Sequence, residues 1–198
     1  MEVAVTPDVS FARVQTLARG IGGQVVPVAG AEALRRVLAG ECAFAVLHDA
    51  GGLDGLAREP LFAGEPLTAF VALTHRLAGG APLTPAEAAR ELLALPPRAA
   101  DPALFDHLGA LFGAAGFVFD EVGNARGADP DELLEPVAQY GAVAVGPAAL
   151  RDWAGQVGAI VACVPVEPEL RMPEVVLAWS AADPPPELEA VLAVVRAA

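Results

Sequence analysis

The sequence contains no lysine, and this absence bears on the partners that the chain can bind. Its positive charge rests on arginine alone, 12 residues against 25 acidic ones, so the formal net charge is −13. Only Arg35 and Arg36 are adjacent in sequence. Binding to nucleic-acid phosphates needs clustered positive charge. We therefore expect that this chain itself does not bind DNA or RNA.

Serine, cysteine and histidine are also scarce. The two serines, Ser10 and Ser180, lie outside any Gly-x-Ser-x-Gly motif. Cys42 and Cys163 lie in apolar stretches without a Cys-x-x-Cys motif, which predicts buried free thiols in a reducing cytoplasm. The three histidines are dispersed and do not form a metal-binding pattern. We predict that the protein is not an enzyme and has no cofactor and no metal.

Long hydrophobic runs are absent as well. No segment approaches the roughly 18 apolar residues that a membrane-spanning helix needs. Residues 1–20 contain Glu2 and Asp8 and have no basic region before an apolar core, which argues against a signal peptide. With 55% hydrophobic residues, the chain can bury a full core in one domain or two small lobes. A soluble, cytoplasmic protein is predicted.

The first 50 residues alternate between strand and helix patterns. Val3–Val5 is predicted to be a buried strand, and Thr6, Pro7 and Asp8 resemble a helix start. Thr6 would be the N-cap and Pro7 the first helical residue, so the helix would span Pro7–Arg19. This alternation predicts parallel strands and an α/β fold. The next predicted elements are a strand at Gln24–Val28, a helix at Glu32–Ala39 and a strand at Cys42–Leu47.

The later sequence continues the α/β pattern. Thr84 followed by Glu87 three residues later is a capping box, which predicts a helix N-terminus. Pro136 lies within a helical pattern and is expected to bend or end that helix. The other predicted helices are Asp101–Ala115 and Pro186–Arg196, and the other predicted strands are Leu92–Leu95, Phe117–Val122, Gly141–Gly146, Gly158–Val166 and Glu174–Trp179.

One segment, Arg58–Ala78, has a recognisable order of features. It contains a Pro-Leu pair, an acidic residue, an apolar strand and the turn His75–Ala78. Asp101–Asp106 and the closing phrase Val176–Trp179 follow at suitable distances. Together these features resemble the effector-binding domain of LysR-type transcriptional regulators. One departure is Arg76, which occupies a position where that family usually has proline.

The resemblance implies a fold similar to type II periplasmic binding proteins, with two Rossmann-like lobes joined by two crossing strands. Lobe I would contain residues 1–67 and 166–198, and lobe II residues 68–165. The DNA-binding domain, an N-terminal helix-turn-helix, is expected to be separate and outside this chain. The resemblance also implies a homodimer, in which the helix Pro7–Arg19 of one copy packs against the helix Pro102–Ala115 of another.

The same resemblance implies that the chain binds a small effector, such as a carboxylate, in the cleft between the lobes. Ligands of open α/β sheets bind beyond the carboxyl ends of the strands, where free N–H groups of helices attract anions. The family often has Ser or Thr where this chain has glycine and alanine, which weakens a polar contact at residues 30 and 31. The candidate ligand-binding residues are Thr6, Pro7, Gly30, Ala31, His48, Arg98, Ala99, Asn124 and Gly146.

Several of these assignments have structural alternatives. Thr6 could only cap its helix, His48 could be a hydrogen-bonded residue at the rim, and Arg98 could pair with Asp101 or a surface acid. His75 is expected to be structural. At the level of the whole protein, the alternatives are a free-standing cytoplasmic solute-binding protein without a DNA-binding half and an enzyme on the same fold.

Overall fold

The computed structural model describes residues 1–119, 121–124, 130–151 and 161–197. The chain forms two compact units, each with its own five-stranded sheet. Unit 1 consists of Met1–Gly64 and Pro173–Ala198, and unit 2 of Glu65–Met172. Within the described part of the chain, no helix is both long and apolar enough to cross a membrane.

Unit 1 contains a mixed sheet whose strand order is β2-β1-β3-β10-β4. β1 pairs in parallel with β2 and β3, which confirms the parallel pairing predicted for the first three strands. β10 is antiparallel to both β3 and β4. The elements of unit 1 are β1 Glu2–Val5, α1 Phe11–Gly20, β2 Gln24–Pro27, α2 Gly30–Leu38, β3 Phe44–His48, β4 Leu56–Phe62, β10 Val175–Ser180 and α6 Leu188–Ala197.

Alternate residues along the strands of unit 1 pack into two hydrophobic clusters, as the twofold period of a strand requires. Val14 of α1 and Val191 of α6 belong to one cluster. Ala33 and Val37 of α2 belong to the other. All residues of β3 are buried, because helices cover both faces of the sheet.

Unit 2 repeats this arrangement with a sheet of order β7-β6-β8-β5-β9. β6 pairs in parallel with β7 and β8, whereas β5 is antiparallel to β8 and β9. A 3₁₀ helix spans Arg76–Gly79. The remaining elements are β5 Leu67–Ala72, α3 Pro85–Ala88, β6 Leu92–Leu95, α4 Pro102–Ala114, β7 Glu121–Asn124, α5 Pro130–Tyr140, β8 Val143–Pro147 and β9 Val161–Pro165.

The chain passes from unit 1 to unit 2 in a short connection. β4 ends at Phe62 in the sheet of unit 1, and β5 begins at Leu67 in the sheet of unit 2. The strand predicted to return to the first lobe is Gly158–Val166. Residues 158–160 lie outside the described part, and the remainder of the segment contains β9. β9 pairs with β5 in unit 2, and the chain enters unit 1 at Pro173.

The first helix begins later than predicted. α1 starts at Phe11, because the carbonyl oxygen of Thr6 accepts a hydrogen bond of 3.1 Å from the N–H of Val9. This contact closes a turn with Pro7 at its second position, which suits the fixed φ of proline. The predicted N-cap role of Thr6 is therefore wrong.

Three other predictions can be compared with the structure. Thr84 caps α3 by accepting a hydrogen bond from the N–H of Glu87, as predicted. α5 continues through Pro136, so this proline does not end the helix. The strand predicted from Phe117 is wrong at its start, since β7 begins at Glu121. The rings of Phe117 and Phe119 instead pack against Phe112 of α4, with centroid distances of 5.9 and 5.6 Å.

Candidate functional site

The strand order of unit 1 creates a natural binding position. The chain leaves β1 toward β2 on one side, whereas β3 lies on the other side of β1. Two adjacent parallel strands whose connections run in opposite directions form a topological switch point. In α/β proteins, ligands bind in the crevice just outside the carboxyl ends of these strands. Thr6 directly follows β1, and His48 is the last residue of β3. Both residues therefore lie at this edge of the sheet.

Thr6, Asp8 and His48 form a polar cluster there, which we call the TDH site, and the side chain of Asp8 is 20% exposed. Thr6 and His48 are 4% and 3% exposed. The Nε2 atom of His48 lies 3.6 Å from Oδ2 of Asp8, which is too long for a hydrogen bond. The following buried atoms have no hydrogen-bond partner among the described residues: Oγ1 of Thr6, Oδ1 and Oδ2 of Asp8, and Nε2 of His48.

The orientation and tautomer of His48 are fixed by the backbone. Its Nδ1 atom lies 2.9 Å from the carbonyl oxygen of Pro173. Because a carbonyl oxygen only accepts hydrogen bonds, Nδ1 carries a hydrogen and donates it. In the neutral imidazole, Nε2 is then a hydrogen-bond acceptor. The pairing of His48 with Val175 between β3 and β10 brings Pro173 to the ring.

The lack of partners in the TDH site is unusual for buried polar atoms. More than about 90% of such groups are hydrogen-bonded in folded proteins. A buried polar group without a partner costs on the order of 1–3 kcal/mol, and a charged group costs more. A ligand that supplied the missing hydrogen bonds would recover this free energy. The geometry therefore suits binding.

Sequence reasoning selected Thr6, Pro7 and His48 but missed Asp8. Asp8 was assigned to the first turn of α1, where acids stabilise helix N-termini. The structure places it in the turn before the helix. The available signal was an acid three residues after the end of β1, next to a strand ending in His48. Pro7 forms the turn that holds Thr6 and Asp8 in place.

Gly30 and Ala31 are the first two residues of α2 and follow β2. β2 is parallel to β1, so this helix start lies at the same edge of the sheet as the TDH site. Gly30 is buried, and the N-cap residue Ala29 makes no side-chain cap. Any contact to a ligand at Gly30 and Ala31 therefore has to come from the backbone.

The other candidates belong to unit 2. Arg98 and Ala99 follow β6, Asn124 ends β7, and Gly146 lies near the end of β8. Because β6, β7 and β8 are mutually parallel, these residues lie at one edge of the second sheet. A Cβ atom on Gly146 would lie 2.5 Å from Cδ1 of Leu150, so the glycine has a packing role.

Arg98 forms an ion pair on the surface of unit 2. Its Nε and Nη2 atoms donate to the two carboxylate oxygens of Asp106 at 2.8 and 2.5 Å. These hydrogen bonds raise the pKa of Arg98 and lower that of Asp106. Asp101, the other predicted acid, caps α4 by accepting a hydrogen bond from the N–H of Leu104. Asp106 occupies Nε and Nη2 of Arg98, so an anion can take this bidentate position only by displacing Asp106.

A second polar cluster, in unit 2, surrounds the buried Glu91 and contrasts with the TDH site because its side chains have partners. Nδ1 of His75 accepts from the N–H of Leu77 at 3.2 Å, and Nε2 lies 3.1 Å from Glu91. Arg76 donates to both Glu87 and Glu91. Arg76, at the position where the resemblance leads one to expect proline, thus neutralises a buried acid. No group of His, Cys, Asp and Glu suited to hold a metal occurs in the described residues.

Residues 11–198 match the family described as the LysR substrate binding domain. The chain belongs to this family. It is therefore an effector-binding domain of the LysR type, with the fold of type II periplasmic binding proteins. The LysR-type resemblance inferred from the sequence is confirmed. No curated protein matches the chain.

Solved structures with the same fold come from several LysR regulators. The reduced regulatory domain of OxyR from Pseudomonas aeruginosa is 16% identical, with a TM-score of 0.74 and coverage of 100% of this chain and 97% of that one. The QuiR effector domain in complex with shikimate is 13% identical, with a TM-score of 0.79 and coverage of 98% and 94%. The BenM effector domain with its effector benzoate is 14% identical, with a TM-score of 0.72 and coverage of 100% and 90%.

Proposed function

We propose that this LysR-type domain senses a small metabolite by binding it at the TDH site. The observation that carries the proposal is the set of buried polar atoms on Thr6, Asp8 and His48 that have no hydrogen-bond partner in the part of the chain that the structure describes. They lie at the switch point of a parallel sheet, where ligands of this architecture bind. QuiR and BenM, which share the fold, are solved with shikimate and benzoate, and both of these ligands carry a carboxylate. We infer that the effector here also contains an anionic group.

Binding at this site would act on transcription by a shift in population. An effector changes a conformational equilibrium only by its difference in affinity for the two states. In a LysR regulator, a helix-turn-helix domain would read this shift as a change in DNA binding. The excess of acidic residues in the present chain agrees with DNA contact through another domain.

The proposed role is binding rather than catalysis. Burial raises the pKa of the thiols of Cys42 and Cys163. This is the opposite of an activated cysteine nucleophile, whose pKa is lowered by its surroundings. Incubation of the purified protein with its effector should leave the effector chemically unchanged, as measured by mass spectrometry. Conversion of the bound effector into another compound would contradict the proposal.

The function is tested by thermal denaturation against a panel of carboxylate metabolites, with amino acids as the comparison group. An effector at about 100 times its Kd adds ~2.7 kcal/mol of stability. For a chain of this size, this corresponds to a rise in Tm of roughly 5–11 °C. Substitution of Thr6 by valine should reduce the shift. A panel and a bacterial metabolite extract that both leave Tm unchanged would refute the sensing role.

We also propose a homodimer in which α1 of one copy packs against α4 of another. The exposed face of α4 supports this, because small residues there allow a second helix to approach closely. That face contains Asp106, Gly109, Ala110, Gly113 and Ala114. Light scattering of the wild-type protein should give a dimer mass, and Ala110→Arg should give a monomer with unchanged circular dichroism. A monomeric wild-type protein at high concentration would refute it.

A further inference from the structure

The TDH site contains more hydrogen-bond acceptors than donors. An ionised Asp8 offers two oxygens that only accept hydrogen bonds. Nε2 of a neutral His48 also accepts, because Nδ1 uses the ring hydrogen for Pro173. Only the hydroxyl of Thr6 can both donate and accept. The three side chains therefore lack enough hydrogen-bond donors to satisfy their own acceptors.

A carboxylate placed directly at the TDH site would meet the wrong chemistry. It has no hydrogen to donate to Asp8 or His48, and it would bring a second negative charge beside the buried carboxylate. Two carboxylates in one buried site repel each other strongly enough that both cannot stay ionised. If His48 were protonated, the hydrogen on Nε2 would face Oδ2 of Asp8, 3.6 Å away, and Oδ1 of Asp8 would still lack a hydrogen-bond donor among the described residues.

We propose that the effector presents a hydrogen-bond donor, a hydroxyl or a primary ammonium, to Asp8 and His48. This inference rests on the proposed function, since it specifies the chemistry of the ligand at the same site. A hydroxyl donates to Asp8 while its oxygen accepts from Thr6. An ammonium has enough hydrogens for both oxygens of Asp8 and for Nε2 of His48. The anionic group of the effector lies away from these three side chains.

The test uses four carboxylates on six-membered carbon rings that differ in their donors. Cyclohexanecarboxylate has none, 3-hydroxycyclohexanecarboxylate has one hydroxyl, 3-aminocyclohexanecarboxylate has an ammonium, and shikimate has three hydroxyls. Kd is measured by titration calorimetry with the wild-type protein, Asp8→Asn and Thr6→Val. Asp54→Asn is the matched control, because Asp54 is an exposed acid of the same unit.

The hydroxyl and ammonium compounds should bind the wild-type protein at least about tenfold more tightly than cyclohexanecarboxylate. Loss of a hydrogen bond to a charged group weakens binding by roughly 10- to 100-fold. Asp8→Asn should show this loss, most strongly for the ammonium compound, and Asp54→Asn should not. Thr6→Val should weaken the binding of the hydroxyl compounds more than that of the ammonium compound, and this difference distinguishes the two kinds of donor.

A second pair of probes removes the influence of ring shape. Methylammonium and acetate are titrated while the amide NMR signals of Thr6, Asp8 and His48 are followed. Methylammonium alone should move these signals. Equal binding of all four rings, a response to acetate alone, or no response to any ring or probe would each overturn the donor proposal. In the first two cases the sensing role would stand, because a carboxylate would still bind.

Discussion

Replacement of Asp8 by asparagine is expected to stabilise the ligand-free protein. The two carboxylate oxygens of Asp8 are buried and have no hydrogen-bond partner in the described structure. Asparagine has nearly the same shape and no charge. Its amide can also donate to Nε2 of His48, which Asp8 Oδ2 approaches to 3.6 Å. Most single substitutions destabilise a protein, so the expected sign is diagnostic.

The magnitude follows from two opposing contributions. Removal of a carboxylate whose buried oxygens lack hydrogen-bond partners among the described residues recovers about 1–3 kcal/mol. Asp8 precedes α1 by three residues, and an acid near a helix N-terminus contributes roughly 0.3–1 kcal/mol of favourable dipole interaction. The net gain for Asp8→Asn is therefore about 0–2.7 kcal/mol. For a chain of this length, Tm should rise by up to roughly 11 °C.

The assay is urea denaturation at pH 7 without any added ligand, with the free energy taken by linear extrapolation. Asp54→Asn should change stability by no more than about 0.5 kcal/mol, as surface substitutions normally do. If Asp8→Asn destabilises the protein by several kcal/mol, Asp8 has a structural charge partner, because the loss of one member of a buried pair costs that much. The interpretation of the TDH site as a binding site would then be refuted.

Three further substitutions test other contacts by the same denaturation assay. Thr6→Val removes an unpartnered hydroxyl at nearly constant volume and should stabilise the free protein by about 1 kcal/mol; a loss of stability would show that the hydroxyl has a partner. Gly146→Ala should cost about 1–3 kcal/mol, because its Cβ would lie 2.5 Å from Leu150, whereas Gly79→Ala, with open space around it, should cost less than 1 kcal/mol. Glu91→Ala removes the buried acid that pairs with a histidine and an arginine and should cost about 2–3 kcal/mol; a neutral result would show that this cluster adds nothing to stability.

The fold could be predicted because its main signals are local in sequence. Short apolar strands alternate with amphipathic helices, and this spacing requires parallel pairing. Thr84 and Glu87 fix a helix start by their own hydrogen bond, so the prediction needed no tertiary information. Phe117 and Phe119 were misassigned because an aromatic run fits a strand equally well. Their packing against Phe112 depends on where α4 lies, which sequence patterns do not give.

The candidate site was only partly predictable for a related reason. Thr6-Pro7-Asp8 satisfies the rules for a helix start, and those rules explain each residue without reference to the rest of the chain. The structure shows a different use, because Thr6 closes a turn and α1 begins at Phe11. What makes Asp8 notable is that, beside His48 from about 40 residues away, its oxygens find no hydrogen-bond partner among the described residues. An unsatisfied group is a property of the packed structure and leaves no mark in the local sequence.

His48 links the proposed ligand contact to the path of the chain. One ring nitrogen faces Asp8, and the other donates to the carbonyl of Pro173, where the chain enters unit 1 from unit 2. When a ligand group donates a hydrogen bond to Nε2, Nδ1–H becomes a stronger hydrogen-bond donor, because linked hydrogen bonds polarise one another. Binding would therefore tighten the contact at Pro173. The ring that we propose contacts the effector thus also contacts the segment through which the chain returns, which offers a direct physical route from ligand chemistry to backbone structure.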